Sequence, residues 1–387
     1  MEKILYLHAG AEMYGADKVL LDLVTNLDKN KYCPIVILPN DGILVTALKE
    51  QGIDVRVINY PVLRRKFLNF VGMSSYSFNF FKYSLKLLKI IKDEKIAILH
   101  VNTTAVLEGV FLKMFSKIKL VWHVHEIIVS PNVMFKLTSK LLSKFSDKVI
   151  TVSEAVKTHL LSSGFFENKK ELITVIYNGV DSRVFNLQVD SNEFKKKNDI
   201  PNDKLVIGMI GRINRWKGQK DFISSISTVL ANHSNTVAVL VGGVFEGEEW
   251  REEELKAMIS LDPNKDRIFQ ISFTKEINKA HKSFDIFVLP SINPDPLPTV
   301  VLEAMATGKP IVGYNHGGIT EMVKVGYNGI LVEPRNIEEL SIEIEKLIID
   351  KKLRNQFGEN SLNRQANFFS LNSYVHNFEE VYNNIID

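Results

Sequence analysis

Short runs of consecutive apolar, mostly β-branched residues alternate with longer amphipathic stretches along this 387-residue chain. Ile4–Leu7, Ile35–Leu38, Val55–Ile58, Ile96–Leu99, Leu120–Trp122 and Val149–Val152 read as strands. Asp17–Leu27, Asn79–Lys92 and Phe135–Phe145 between them read as helices. Strands apolar on both faces suit a parallel sheet covered by helices on each side. The alternation therefore predicts an open, doubly wound α/β domain. The pattern then restarts. After a polar, Lys-rich segment, Asp190–Asp203, the run Leu205–Ile210 opens a second series. It continues through Val237–Val241, Ile268-Phe269, Ile286–Leu289, Ile311-Val312 and Ile330–Val332. Two domains are expected, residues 1–180 and 181–371, with 372–387 crossing back onto the first. A cleft is expected between them, with ligands at the carboxyl ends of the strands.

Charge and composition exclude several classes. The 48 Lys+Arg nearly balance 45 Asp+Glu, so a general nucleic-acid binder is not expected. The content of 45% apolar and 24% charged residues is that of a globular chain. Cys33 is the only cysteine, which fits a reducing compartment. The opening MEKILYLHAG lacks a basic n-region, a long apolar core and a cleavage site, so no secretory signal is read. The uncharged stretch between Lys66 and Lys82 contains Asn, Gly and several Ser, a poor membrane span. A cytoplasmic protein is expected.

Four constellations could carry chemistry. Arg212 and Lys217 lie on the strand-to-helix turn Gly211–Gly218, where a fork and a mobile point charge suit phosphate oxygens. A solvated basic loop is the plain alternative. Pro294–Ala304 runs from a proline-rich loop into a helix beginning near Pro298. The Thr299 and Val300 amides at its start favour an anion. Asp295 and Glu303 could face one ligand there, or be a loop carboxylate and an exposed helix residue. At a strand end, His123 and His125 share one face of the extended chain, followed by Glu126. No Asp-x-Asp or His-Glu-x-x-His pattern occurs, so a metal site has little support. His123 reads as structural and His125 as the better candidate to reach a cleft. The turn His8–Asp17 carries Gly15, either a close-approach position or a plain tight turn, and matches neither a dinucleotide nor an ATP fingerprint.

Taken in order, these elements resemble a retaining GT-B glycosyltransferase of family 4. The pieces are Gly15, His125, Thr151–Glu154, Val175–Asp181, Gly211-Arg212 with Lys217-Gly218, and Asp295-x₇-Glu303 running into Ala304–Val312. The resemblance implies two Rossmann-like domains, the second binding a nucleotide-sugar donor and the first an acceptor. Arg212 and Lys217 would neutralise the leaving diphosphate, with Thr299 and Val300 assisting. Leu297 would line the donor and Glu303 would accept from the ribose hydroxyls. Asp295 and His125 would stand near the reacting sugar, and Gly15 would close over the diphosphate. No metal or other cofactor is implied, and no protein nucleophile.

Two departures concern the sugar pocket. The family more often carries Glu at position 295, and Gly-Phe-Gly or Pro-Phe-Gly in place of Pro296-Leu297-Pro298. The turns around Tyr14-Gly15 and Val101–Thr104 resemble bacterial cell-surface polysaccharide enzymes, including rhamnosyltransferases. They imply a dTDP-rhamnose donor and a lipid-linked or polysaccharide acceptor. A non-catalytic nucleotide-sugar-binding subunit is the alternative function. A metallohydrolase built on His123 and His125, or a GT-B epimerase or phosphorylase, are minor ones. Independently of family, 15 Lys+Arg oppose five Asp+Glu between residues 60 and 150, a net +10, while the remainder carries −7. Phe67, Phe70, Phe78, Phe80, Phe81 and Tyr83 interleave with the first of these cations. Peripheral attachment to an anionic membrane face is expected from this charge, against the plain reading of core aromatics and solvated lysines.

Overall fold

The computed structural model describes residues 1–63 and 70–386. Arg64, Arg65, Lys66 and Phe67 of the basic–aromatic segment lie outside the described residues, as does the side chain of Phe70. The chain forms two units, Met1–Gly179 with the stretch from Leu371, and Val180–Ser370.

In the first unit seven strands form one sheet: β1 Glu2–Leu7, β2 Tyr32–Leu38, β3 Asp54–Val57, β4 Ile98–Val101, β5 Lys119–Val124, β6 Lys148–Thr151 and β7 Ile173–Val175. Their order is β3-β2-β1-β4-β5-β6-β7, and every pairing is parallel. Ile4, Leu5, Tyr6 and Leu7 are all fully buried, as the unbroken apolar run requires of a strand covered on both faces. The C-terminal helix Leu371–Ile386 belongs to this unit. Its Tyr374, Phe378 and Tyr382 join Ile4, Tyr6, Leu20 and Leu23 in one core cluster. The Tyr382 hydroxyl sits 3.0 Å from that of Tyr6 and 2.7 Å from His100 Nδ1.

The second unit has six strands: β8 Leu205–Ile210, β9 Thr236–Val241, β10 Ile268–Ile271, β11 Ile286–Leu289, β12 Ile311–Tyr314 and β13 Gly329–Val332. They run in the order β10-β9-β8-β11-β12-β13, again all parallel. The expected doubly wound, two-sheet GT-B architecture is the one observed. The strand order reverses between β1 and β4 in one sheet and between β8 and β11 in the other. At such a switch point the loops leaving the carboxyl ends diverge and leave room for a ligand.

Differences from the sequence reading are local. The helix expected at Asn79–Lys92 extends over Phe70–Glu94, and the three-residue strand β7 was not read. The Asp190–Asp203 segment contains the helix Asn192–Lys197 and buries Phe194 and Ile200, so it is anchored rather than merely superficial.

Two predictions concern stability. In β8, a Cβ at Gly208 would stand 2.1–2.4 Å from ring atoms of buried Phe284. Gly208→Ala is expected to cost about 2 kcal/mol by overpacking, read as a lower urea midpoint of the second unit. In the first unit, burial pushes the His100 imidazole down to about 3 and His123 well below its ordinary value. The unfolded chain takes up these protons as the pH falls below about 6.5, while the fold refuses them. Stability present above that pH is therefore lost toward acid, by about 2 kcal/mol per histidine at pH 5. Hydrogen exchange in β4 and β5 under urea should show this loss, and His123→Leu should remove its own share. An unchanged pH dependence in that variant would refute the assignment.

Candidate active site

In the second unit, β8 ends at Ile210 and feeds the loop Gly211–Gly218, which enters the helix Gln219–Asn232. Gly218 adopts φ 79°, and a Cβ there would lie 1.8 Å from the carbonyl oxygen of Pro290. Only glycine permits this approach. It presses the basic loop onto the segment leaving β11, and the Trp216 carbonyl accepts the Ile292 N–H at 2.5 Å. The two loops flanking the β8/β11 reversal are thereby joined.

The joined loops carry most of the sequence candidates. Lys217 Nζ lies 2.8 and 2.9 Å from the two Asp295 carboxylate oxygens, so the expected diphosphate cation and the expected sugar-site acid form an ion pair. The Ser291 hydroxyl donates to Asp295 Oδ2 at 2.5 Å. The Asp295 carbonyl accepts the Gly318 N–H at 2.7 Å. His316 Nε2 donates to the Ser291 carbonyl at 2.5 Å, which tethers the loop after β12 to the same place. Arg212 is fixed from both ends: its guanidinium carbon sits 3.7 Å from the Phe245 ring centroid, and its carbonyl accepts from Gln219 Nε2 at 2.8 Å. Stacking on an aromatic face holds the planar fork without consuming its donors.

The helix after this loop spans Thr299–Ala306, follows Pro298 directly and has no side-chain cap. Leu297 is buried beneath its start, while Thr299 and Val300 are partly exposed. Glu303 does not lie at the surface. It is buried, with Oε2 3.0 Å from Nε2 of buried His281. Asp295 and Glu303 therefore have separate partners, Lys217 and His281.

In the first unit the corresponding edge carries imidazoles and amides instead of cations. His125 Nε2 lies 3.0 Å from Asn102 Oδ1, and Asn102 Nδ2 lies 3.1 Å from His8 Nδ1. His8 Nε2 in turn meets Asp17 Oδ1 at 2.7 Å. Desolvation, then the neighbouring His8 and His100, pushes His125 down to about 3, so its ring is neutral at physiological pH. Glu126 accepts from the Thr103 hydroxyl at 2.5 Å and from the His125 N–H at 3.2 Å, and burial raises its carboxyl. His123 is fully buried, 3.9 Å from the His125 ring, and its two ring nitrogens meet no hydrogen-bond partner. The His-x-His pair thus splits as expected from the sequence, His123 inside and His125 toward the edge. Among the described residues no group of three or more His, Cys, Asp and Glu converges as a metal site. Gly15 is the first residue of the helix Gly15–Asn26, and the left-handed backbone of this turn falls on Met13 at φ 74°.

Sequence reasoning missed Ser291, Phe245, His281 and the chain through His8, Asn102 and Asp17. Ser291 directly follows the proline that ends β11, a placement visible in sequence. His281, Phe245 and Asn102 are brought in from 22 to 94 residues away, and no local spacing marks them, while Asp17 lies nine residues from His8.

Comparisons with known proteins agree with this geometry. The family model described as Glycosyltransferase Family 4 matches residues 14–184, and that described as Glycosyl transferases group 1 matches residues 190–364. An uncharacterized glycosyltransferase of Methanocaldococcus jannaschii is 30% identical over 65% of this chain, and the chain spans only 62% of that relative's length. The N,N'-diacetylbacillosaminyl-diphospho-undecaprenol alpha-1,3-N-acetylgalactosaminyltransferase of Campylobacter jejuni is 29% identical over 98% of this chain and 97% of its own. The crystal structure of Anabaena Alr3699/HepE in complex with UDP-glucose superposes with a TM-score of 0.85 at 25% identity, covering 99% of this chain and 100% of the other. With one family model on each sheet domain, the chain belongs to the glycosyltransferases of GT-B fold.

Proposed function

We propose that this chain is a retaining glycosyltransferase that moves a hexose from a nucleotide-sugar donor to a lipid-linked or polysaccharide acceptor. The observation that carries the reading is the pair of loops at the β8/β11 reversal, which pairs Lys217 with Asp295 just ahead of the helix Thr299–Ala306 and carries Arg212 on the Phe245 ring. Support for the donor comes from the relative bound to UDP-glucose, and for the acceptor from the relative named for an undecaprenol diphosphate. The dTDP-rhamnose expectation is one member of the donor class to be screened.

In this proposal the bond from the sugar's anomeric carbon to the diphosphate breaks, and its electron pair goes to the β-phosphate oxygen. The acceptor hydroxyl bonds to that carbon on the face just vacated, and its proton passes to the departing oxygen. Negative charge grows on the leaving diphosphate, so cations fixed beforehand stabilise the transition state more than the ground state. Arg212 and Lys217 supply them, and the Thr299 and Val300 amides add donors at the positive end of a helix. The diphosphate draws on a lysine already neutralised by Asp295, and the released carboxylate becomes available to sugar hydroxyls. Glu303, oriented by His281, takes the ribose hydroxyls, and Leu297 contributes to donor contact. The cations are the chain's own side chains, so the proposal includes no metal or other cofactor.

The membrane belongs to the proposal too. No described helix is long and apolar enough to cross a bilayer. The helices Phe70–Glu94 and Glu108–Phe115 leave Phe78 70%, Phe81 56% and Phe115 56% exposed. Exposed Lys82, Lys86 and Lys117 lie on or beside them. Apolar anchors amid cations suit an anionic leaflet on the cytoplasmic side, each cation contributing about 1 kcal/mol.

Release of nucleotide from UDP-, GDP- and dTDP-sugars with polyprenyl diphosphate-linked acceptors tests the activity. Arg212→Ala and Lys217→Ala are each expected to lower kcat about a hundredfold, the cost of one donor to a developing anion. Unchanged turnover would sink the site assignment, and donor binding without turnover on any acceptor would favour the non-catalytic subunit. For the membrane, flotation should occur with phosphatidylglycerol vesicles, fall with salt, and be lost in Phe78→Ser/Phe81→Ser. Equal flotation on neutral vesicles would count against it.

A further inference from the structure

A hydrogen-bonded chain runs from the first turn of the helix Gly15–Asn26 across the β1/β4 reversal to the end of β5. Asp17 is buried, accepting the Tyr14 N–H at 2.7 Å on Oδ2 and facing His8 Nε2 at 2.7 Å with Oδ1. His8 and Asn102 are also buried, 3% and 1% exposed, so water does not compete for their polar atoms. The Tyr60 hydroxyl holds the strand end, bonding to both the N–H and the carbonyl of His8.

The donor and acceptor of every link follow from one end. A carboxylate only accepts, so Asp17 requires the proton on His8 Nε2. Asn102 Nδ2, which only donates, stands 3.1 Å from His8 Nδ1, so that ring nitrogen carries a lone pair. That lone pair takes a hydrogen from the Asn102 amide nitrogen and turns the amide oxygen toward His125. The oxygen accepts from His125 Nε2, so the remaining lone pair lies on His125 Nδ1. We infer that Asp17, His8 and Asn102 are positioning residues that hold His125 as the neutral Nε2–H tautomer, presenting Nδ1 as an acceptor for a sugar hydroxyl. The part concerning the sugar rests on the proposed reading of His125; the tautomer does not.

The surroundings favour the neutral ring. The His125 ring faces His8, His100 and His123. A proton on His125 would put a cation among three other imidazoles in a desolvated site. A neutral acceptor can orient a hydroxyl or ease its proton away, whereas an imidazolium can only donate.

Histidine-¹⁵N-labelled full-length protein would test this by long-range ¹H–¹⁵N correlation at neutral pH, with His8 and His125 assigned through His8→Gln and His125→Gln. Both rings should show Nε2 protonated and Nδ1 bare. A proton on His125 Nδ1 would overturn the chain, because it requires the Asn102 amide to be reversed. Asn102→Asp replaces the amide with a group that only accepts, so it should draw a second proton onto the rings it touches. The variant should then lose about tenfold or more in kcat near neutral pH, recover as the pH rises, and leave the donor KM near wild type. Thermal unfolding separates this from a folding defect. An Asn102→Asp profile that parallels wild type while the ring states have changed would overturn the acceptor role of His125. If the wild type turns over no donor, the proposed function fails, while the tautomers are still read from the spectra.

Discussion

Both sheets are wholly parallel and both reverse their strand order once, and this constraint positions the candidate groups. Parallel strands send the loops that follow them to one edge, and a reversal parts two of those loops. In the first unit the parted loops begin at His8 after β1 and Asn102 after β4. In the second they begin at Gly211 after β8 and Pro290 after β11. The residues that bond to one another across each reversal are therefore far apart in sequence and fixed by strand register rather than by loop conformation. The close approach of Gly218 to Pro290 is the local form of this constraint, since a larger residue would part the loop that carries Lys217 from the one that carries Asp295.

How far the sequence could be read follows from the range of the forces involved. Apolar runs report burial along the strand itself, so twelve of the strands are legible within about three residues, and Leu205–Ile210 and Ile286–Leu289 to the residue. Strand β7 spans three residues and carries too little pattern to stand out. The helix Phe70–Glu94 begins nine residues before the expected start because Met73-Ser74-Ser75-Tyr76 reads as weakly helical until packing holds it, with Tyr76 turned inward.

At the site, residue types were legible and partnerships were not. Arg212, Lys217 and Asp295 stand out because charge beside glycine or proline in a loop after a strand is a local signal, and Glu303 through its spacing from Asp295. The ion pair between Lys217 and Asp295 spans 78 residues, and the His281–Glu303 contact spans 22. Neither has a spacing rule. Glu303 shows the consequence: an acid at a helix start looks exposed in one dimension, yet β11 and the helix Ile277–Ser283 enclose it. His125 is the converse case: alternation puts it on the same face as His123, and its place just past the end of β5 leaves it partly exposed at the edge.

The two units differ in how they treat charge, and transfer chemistry gives that difference a reason. In the proposed transfer a departing diphosphate gains negative charge, so its edge would need fixed cations, and the second unit holds Arg212 on an aromatic face and Lys217 against a carboxylate. An attacking hydroxyl must keep its nucleophilicity, and a cation at its oxygen would withdraw electron density from the reacting centre. The first unit buries its imidazoles until they are neutral, and burial raises the Glu126 carboxyl in the same way. Its surface cations are displaced to the helices Phe70–Glu94, Glu108–Phe115 and Asn132–Phe145, away from the strand ends that hold His8, Asn102 and His125. Of the cations in residues 60–150, Lys82, Lys86, Lys89, Lys92, Lys113, Lys136, Lys140 and Lys144 lie on these helices, while the edge works through lone pairs. Every proton the buried histidines accept opposes both the fold and the neutral state inferred for His125.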